Sequence, residues 1–417
     1  MFRGRFSSTT GVLGIDFGAR GAKLLQVREH AGKLTVIGAA RVDSTASAGA
    51  PNDPNSVDGD ALAAQLQAAF ASGGFAGRRC VISLPRASVC IQSIRLPKMP
   101  DHELRQSAVW EASQRFGFDR NAMEVDFIRT GAALQSGETR EEVIIVAASH
   151  AAINARVEPV IAAGLRPIAL DTGFAALVRT FSRQARRESD QAHVRAIVEV
   201  GCSGSTVLIV RGDQICFCKP INIGGEQFNL AVGEHLQMDA RAAEDLRAAR
   251  ICGRRGDAAG VEASATDPAT DRAVYEAVRP LMGDLIKEVS LCLRYYGVTF
   301  RGHPPEKIIL TGGEGLEPRL NEMLAQACKL PVVYDDELGT LESMIGQIQS
   351  SLNRQPGPAA CWTAAIGLSM RGVTPRRRNQ KSDMRGHKAE PAQPAIAPAN
   401  RQPPIPVTGR NAPGVAA

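Results

Sequence analysis

The chain has 417 residues, 44% hydrophobic and 22% charged, with 5% aromatics and a formal net charge of +6. That length holds two or three ordinary domains or one large bilobed one, and no apolar run approaches the roughly 18 residues that a membrane-spanning helix needs. Eight of the 49 Lys and Arg but only two of the 43 acids lie in residues 373–417, so the body before that tail is neutral and lacks the basic, aromatic footprint of a nucleic-acid binder.

From the N-terminus, Val12–Phe17, Ala22–Arg28 and Leu34–Val42 read as a meander of strands joined by short Gly-containing turns. A Ser, Asn, Gly and Pro-rich loop over 43–59 leads to a helix at Asp60–Ala71. Strands return at Cys80–Leu84 and Val89–Leu96. In Asp101–Phe116 the residues Leu104, Ala108, Ala112 and Phe116 recur every four positions, the period of an amphipathic helix. Trp110 and Phe116 are expected in its core.

Strands follow at Val125–Thr130 and Val143–Ala148, then a helix over about 150–163 and a short strand ending near Asp171. Past a polar segment at 183–193, Ala196–Val200 and Thr206–Arg211 flank a Gly-Ser turn and repeat the N-terminal layout. Cys216 and Cys218, two apart in a strand, are expected on one face as small buried hydrophobes. Helices are predicted at Gly225–Leu236, Ala240–Ala249 and Arg272–Tyr296, with a loop at 253–270. Lys307–Leu310 is a strand running into Thr311-Gly312-Gly313, followed by a helix over 316–327, a strand over 331–334 and a helix over 359–370. Beyond Gly372, eight prolines and the excess charge predict a disordered tail.

Several chemistries drop out. The only Gly-Lys pair, Gly32-Lys33, lacks the glycine of a P-loop five residues earlier. His102-Glu103 is followed by Gln106 where a metalloprotease needs a second His, and Gly201-Cys202-Ser203-Gly204-Ser205 lacks the last glycine of a nucleophile elbow. The nine cysteines form no CxxC pair and predict free thiols in a reducing cytoplasm. The opening MFRGRFSSTT is followed by no apolar stretch with a small-residue cleavage site, so no signal peptide is read.

Three glycine turns remain, each directly after an apolar strand: Asp16-Phe17-Gly18 with Lys23 downstream, Glu199-Val200-Gly201 through Cys202, Ser203, Ser205 and Thr206, and Thr311-Gly312-Gly313. Glycine lets backbone N–H groups approach a polyanion, and a carboxylate at a strand end can hold hydrated magnesium. Two such hairpins facing each other, with a third turn at the nucleoside, make a clamp for Mg-ATP. Their order, with about 180 and about 110 residues between them, resembles the two phosphate motifs and the adenosine motif of the actin-like ATPase superfamily. The segment starting Gly224-Gly225 and the helix bearing Glu244 and Arg247 resemble the stretch where that superfamily contacts base and ribose.

A narrower resemblance lies in Leu96-Pro97-Lys98-Met99-Pro100, Glu103-Leu104, Trp110-Glu111-Ala112 and Phe116-Gly117-Phe118-Asp119. These are similar to the inserted subdomain of the PilM family of type IV pilus assembly, and the resemblance extends over about residues 10–372, including Ala364–Leu368. It implies an α/β, actin-like fold with a first lobe at 10–195, interrupted by a subdomain at about 92–167. A second lobe follows at 196–358, with a smaller subdomain at about 225–305, and a helix at 359–372 returns to the first lobe. It implies ATP and Mg as cofactors, with Asp16 holding the metal through water and Gly18, Ala19, Arg20, Lys23, Gly201, Cys202, Ser203, Ser205, Thr206, Gly225, Glu244, Arg247, Gly312, Gly313 and Glu314 around the nucleotide.

It also implies a partner: the short cytoplasmic N-terminus of a membrane-anchored, PilN-like protein, captured in a groove lined by residues around 80–95 and 101–119. The chain would then be cytoplasmic and peripheral to the inner membrane, with self-association an open alternative and the Arg376–Arg378 run available to anionic lipid. Here Ala19, Arg20 and Gly21 replace the hydroxyl residues usual in the family, Glu199 replaces an Asp, and Glu314 stands where a small residue is commoner. The lengthened acid at Glu199 implies slow or absent hydrolysis. A division protein of the FtsA type is the rival reading, but the Pro-rich tail lacks its amphipathic membrane helix. A small-molecule kinase is a second rival, for which no catalytic acid with the right motif is found.

Overall fold

A computed structural model describes residues 9–30, 33–43, 58–135, 138–182, 192–259, 267–300, 303–334 and 359–371. The chain divides into two units, 1–376 and 377–417, and every described residue belongs to the first. The predicted tail therefore lies outside the described residues.

The apolar N-terminal segments build the first sheet. Strands β1 (Thr9–Thr10), β2 (Leu13–Gly18), β3 (Gly21–His30) and β4 (Lys33–Asp43) form its antiparallel part. Helix α1 (Gly59–Ser72), capped by Asp58 Oδ1 accepting the Ala61 N–H at 3.0 Å, leads to β5 (Arg79–Ser83), which runs parallel to β2. A 3-10 turn, Arg86–Ser88, then enters an insertion.

The insertion comprises β6 (Cys90–Leu96), α2 (Asp101–Phe116), β7 (Met123–Gln135) and β8 (Glu138–Ser149), with strand order β6-β8-β7. Its period-four helix buries Leu104, Ala108 and Ala112 on Val143, Ile145 and Ala147. Trp110 departs from expectation and is 49% exposed: the buried stripe follows 104, 108 and 112, and Trp110 falls outside it. Helix α3 (His150–Ala162) and β9 (Arg166–Asp171), parallel to β5, complete the first sheet.

Helix α4 (Gly173–Phe181) has no counterpart in the sequence reading. Six of its nine residues are buried, and the Thr172 side chain caps it by accepting the Ala175 N–H at 3.2 Å.

The second sheet has the order β12-β11-β10-β13-β14, from β10 (Val194–Val200), β11 (Ser205–Arg211), β12 (Gln214–Ile221), β13 (Ile308–Thr311) and β14 (Val332–Tyr334). Helices α5 (Gly225–Leu236), α6 (Ala240–Ala259), α7 (Pro268–Phe300) and α8 (Leu320–Cys328) accompany it. Helix α6 runs ten residues past its expected end despite Gly253 and Gly256, and α8 begins four residues late, after a turn around Glu317. Cys216 and Cys218 are buried as expected but do not share a face: Ile215 pairs with Val210 and Phe217 with Ile209, so Cys216 is the extra residue of a bulge. Both thiols are buried, Cys216 in the core with Phe228 and Val289, Cys218 on the other face with Phe174 and Ile144.

The last described helix, α9 (Thr363–Ser369), lies against β2, β3, β5 and α4. Gly14 faces its backbone so closely that a Cβ would come 2.5 Å from Ala365 O, and at Gly367 a Cβ would stand 1.9 Å from Ala176 O on α4. Arg179 fixes the same crossing by donating to Gly367 O at 2.7 Å. Replacing Gly367→Ala is therefore expected to lower stability by about 1–3 kcal/mol through overpacking. An unchanged melting curve would show that the two helices separate freely.

Candidate functional site

The parallel strands of the two sheets point their carboxyl ends at one cleft, the position where α/β sheets place ligands. Gly18, Leu84, Thr172, Gly201 and Gly312, which follow or end β2, β5, β9, β10 and β13, all line it, and its volume is about 240 Å³. The third turn needs glycine: Gly312 has φ +91°, and a Cβ there would lie 2.3 Å from Val200 O.

Cross-strand pairing sets the charges. Asp16 opposes Lys23, with Nζ 4.0 Å from Oδ2, and its Oδ1 accepts the Ser83 hydroxyl at 2.7 Å. Glu199 opposes Thr206 in the second hairpin. Burial, reinforced by the negative charge of Asp16, pushes the Glu199 carboxyl up to about 7, against the pull of Arg86, Lys23 and the Thr206 hydroxyl. Its longer side chain folds back on its own turn, where a Gly201 Cβ would lie 3.0 Å from Oε1. Arg86 reaches over from the entry to the insertion, donating to Ile221 O at 2.8 Å and Asn222 Oδ1 at 3.2 Å, while its buried Nε meets no acceptor among the described residues.

On the opposite side, Arg20 at the tip of the first hairpin places Nε 2.9 Å from Glu244 Oε1 and Nη1 3.1 Å from Glu314 Oε1. Burial works against the Arg20 charge, but Glu314, the Cys202 thiol and Glu244 outweigh it and hold the guanidinium above its ordinary value. Glu314 passes the connection inward. Its Oε2 accepts from Arg247 Nη2 at 2.7 Å, Arg247 also donates to Glu317 at 2.6 Å and Asn229 at 2.6 Å, and Glu317 binds Arg250, which pairs with Asp271. Arg247 lies 5.0 Å over the Phe228 ring and is 1% exposed.

The walls fit a phosphate-bearing ligand. The amides of Ala19, Arg20, Cys202 and Ser203 meet no acceptor among the described residues, and Arg20, Lys23, Arg41 and Arg86 line the cleft with Asp16, Glu199 and Glu314. No cluster of three metal-ligating side chains exists among the described residues.

Of the residues singled out in the sequence, Asp16, Gly18, Ala19, Arg20, Lys23, Glu199, Gly201, Cys202, Ser203, Thr206, Gly312, Gly313 and Glu314 line the cleft together. Four do not. Ser205 is buried and donates to Ile223 O at 2.6 Å, Gly225 is buried with its Cα against Glu314, Arg247 is enclosed, and Glu244 meets Arg20 from outside the lining. Sequence reasoning missed Arg41, Arg86 and the Thr172-Gly173-Phe174 segment, as well as Glu317 and Arg250 behind the wall. Only Arg86 carried a local signal, a charge directly after a buried strand.

A family model described as type IV pilus assembly protein PilM matches residues 14–373. The chain belongs to the PilM family. Among solved structures it is similar to the PilM-PilN type IV pilus biogenesis complex, with a TM-score of 0.66 at 22% identity over 88% of this chain and 99% of that one. It also matches ethanolamine utilization protein EutJ from Carboxydothermus hydrogenoformans, at TM-score 0.49 and 12% identity over 87% and 89% of the two chains. Component A of the Acidaminococcus fermentans (R)-2-hydroxyglutaryl-CoA dehydratase gives 0.39 and 11% over 86% and 96%. A comparison with curated proteins finds no match. The α/β fold is thus that of the chain in the PilM-PilN complex.

Glu199 generates a pH-dependent prediction. A carboxyl raised to about 7 in the folded state, against about 4.3 in the unfolded chain, favours folding most below the lower value. That stability is lost as pH rises through the window between the two. Glu199→Gln is therefore expected to melt a few degrees above the native protein at pH 8, with the difference shrinking by pH 5. Equal shifts at both pH values would mean that ionisation of Glu199 is not the cause.

Proposed function

We propose that this member of the PilM family is a cytoplasmic nucleotide-binding adaptor of type IV pilus assembly, or of a related secretion machine. It docks the cytoplasmic N-terminus of a PilN-like inner-membrane protein. The observation that carries the reading is the convergence of three glycine turns, four free amides and four basic side chains on one cleft, in a chain matched by the PilM model over 14–373.

ATP is the expected ligand. The amides of Ala19, Arg20, Cys202 and Ser203 and the cations Lys23 and Arg86 would hold its phosphates, and Asp16 would hold Mg through water. Magnesium, when bound, neutralises phosphate charge beside Asp16 and Glu199. Turnover is slow or absent, because Glu199 folds back over Gly201 and is partly protonated at neutral pH.

The two sheets serve as the two lobes, with the insertion as a subdomain of the first. No helix among the described residues is long and apolar enough to cross a membrane, so attachment runs through the partner, with the basic tail adding contact to anionic lipid. The half-exposed Trp110 on α2 is available as an apolar anchor for the partner peptide, in the stretch 101–119.

Calorimetry with Mg-ATP and affinity capture from membranes test this reading. Heat of binding is expected for the native chain, weakened by about tenfold or more in Lys23→Ala through loss of a charged contact. Capture is expected to recover a bitopic protein with a short cytoplasmic N-terminus. No heat at millimolar ATP would remove the nucleotide from the account, and recovery of division proteins would favour the rival.

A further inference from the structure

The cleft's best-placed cation is already engaged. Arg20 stands at the tip of a first-sheet hairpin, and both of its ion-pair partners belong to elements of the second sheet: Glu244 on α6 and Glu314 after β13. The two pairs therefore span the mouth of the cleft and tie its walls together. Arg20 also belongs to the turn whose amides at 19 and 20 meet no acceptor. A phosphate seated on those amides would lie within reach of the Arg20 side chain and would compete with carboxylates for it.

The two carboxylates are not equivalent. Glu314 is 3% exposed, its second oxygen is held by Arg247 at 2.7 Å, and its carboxyl is wedged against Gly225, where a Cβ would come 2.5 Å from Oε1. It cannot follow Arg20 out of the wall without stranding a buried guanidinium. Glu244 is 39% exposed, and the Arg20 Nε beside it, at 2.9 Å, makes no hydrogen bond among the described residues, so theirs is the weaker of the two pairs and gives way first.

We propose that Arg20 is an exchangeable latch. Without nucleotide it bridges the two halves through Glu244 and Glu314, and with nucleotide it leaves Glu244 for a phosphate while Glu314 stays fixed on Arg247. Glu244 thereby sets the nucleotide concentration at which the latch opens. Arg20 is then a phosphate-binding residue, and Glu244 competes with the phosphate for its guanidinium. This inference rests on the nucleotide reading of the cleft.

The test is a double-mutant cycle on the full-length chain, titrating Mg-ATP by calorimetry into the native protein, Glu244→Gln, Arg20→Gln and the double variant. Both side chains are more than a third exposed, and melting curves check that each variant folds. Glu244→Gln is expected to tighten binding about 2- to 5-fold, the worth of an exposed ion pair. Arg20→Gln is expected to weaken it by about tenfold or more. In the Arg20→Gln background, the gain from Glu244→Gln should vanish.

A gain of equal size without Arg20 would show that Glu244 only repels phosphate, and the latch would be overturned. An unchanged affinity in Glu244→Gln with a native protein that binds would also overturn the latch, while leaving the nucleotide reading intact. Binding by Glu244→Gln alone would support a latch that is shut in the native chain. Binding by neither would end both ideas.

Discussion

A guanidinium with almost no access to water, that of Arg247, holds together the wall of the cleft that carries Glu314. Burying a charge is tolerable only when partners surround it, and here Glu314, Glu317, Asn229 and the Gly225 carbonyl do so, with the Phe228 ring beneath. Those partners come from α5 and from the turn after β13, and Arg250 and Asp271 extend the network to α7. Breaking such a buried pair costs about 3–5 kcal/mol, whereas an exposed pair contributes about 0–1 kcal/mol. The inner wall is thus preset, and any adjustment on ligand entry falls on the outer contacts of Arg20.

Helix α4 connects this cleft to the insertion. Thr172, Gly173, Phe174 and Leu177 line the cleft, while Phe174, Leu177, Val178 and Phe181 also pack with Ile144 of β8 and with Ile197 and Leu208 of the second sheet. A second tie runs from the insertion to α7: Arg95 binds the buried Glu142 at 2.9 Å and donates to Tyr295 at 2.8 Å and Thr299 at 3.2 Å. Because packed interiors transmit displacement poorly absorbed by voids, a change of angle between the two sheets would reach β6, β8 and α2. Of these, β6 and α2 lie in the stretches proposed to hold the partner peptide, which would give a bound nucleotide a physical route to partner affinity.

Much of this was legible from residue order, for a local reason. The hairpins at Gly18 and Gly201 announce themselves as apolar strands ended by glycine turns, and Asp16 and Glu199 stand near the ends of those strands. Glu314 was visible as a departure, but its pairing with Arg247 spans 67 residues and left no trace in spacing. Helix α4 went unread because its nine residues fall short of the roughly 11-residue window over which a helical period is counted, although Thr172 caps it. The bulge at Cys216 inverted a simple alternation argument, since one extra residue moves the next side chain to the other face. Trp110 was misplaced because aromatic character says less about burial than position on the stripe.

The claim on which these strands converge is that the cleft and the peptide groove are coupled. Fluorescence anisotropy of a labelled peptide, copying the cytoplasmic N-terminus of the proposed PilN-like partner, measures that coupling directly when titrated with the full-length protein in the presence and absence of saturating Mg-ATP. The account predicts saturable binding in both conditions, with affinities that differ several-fold, the size of ordinary allosteric coupling, at about 1 kcal/mol or more. Identical affinities with and without nucleotide, in a protein shown to bind both ligands, would contradict it.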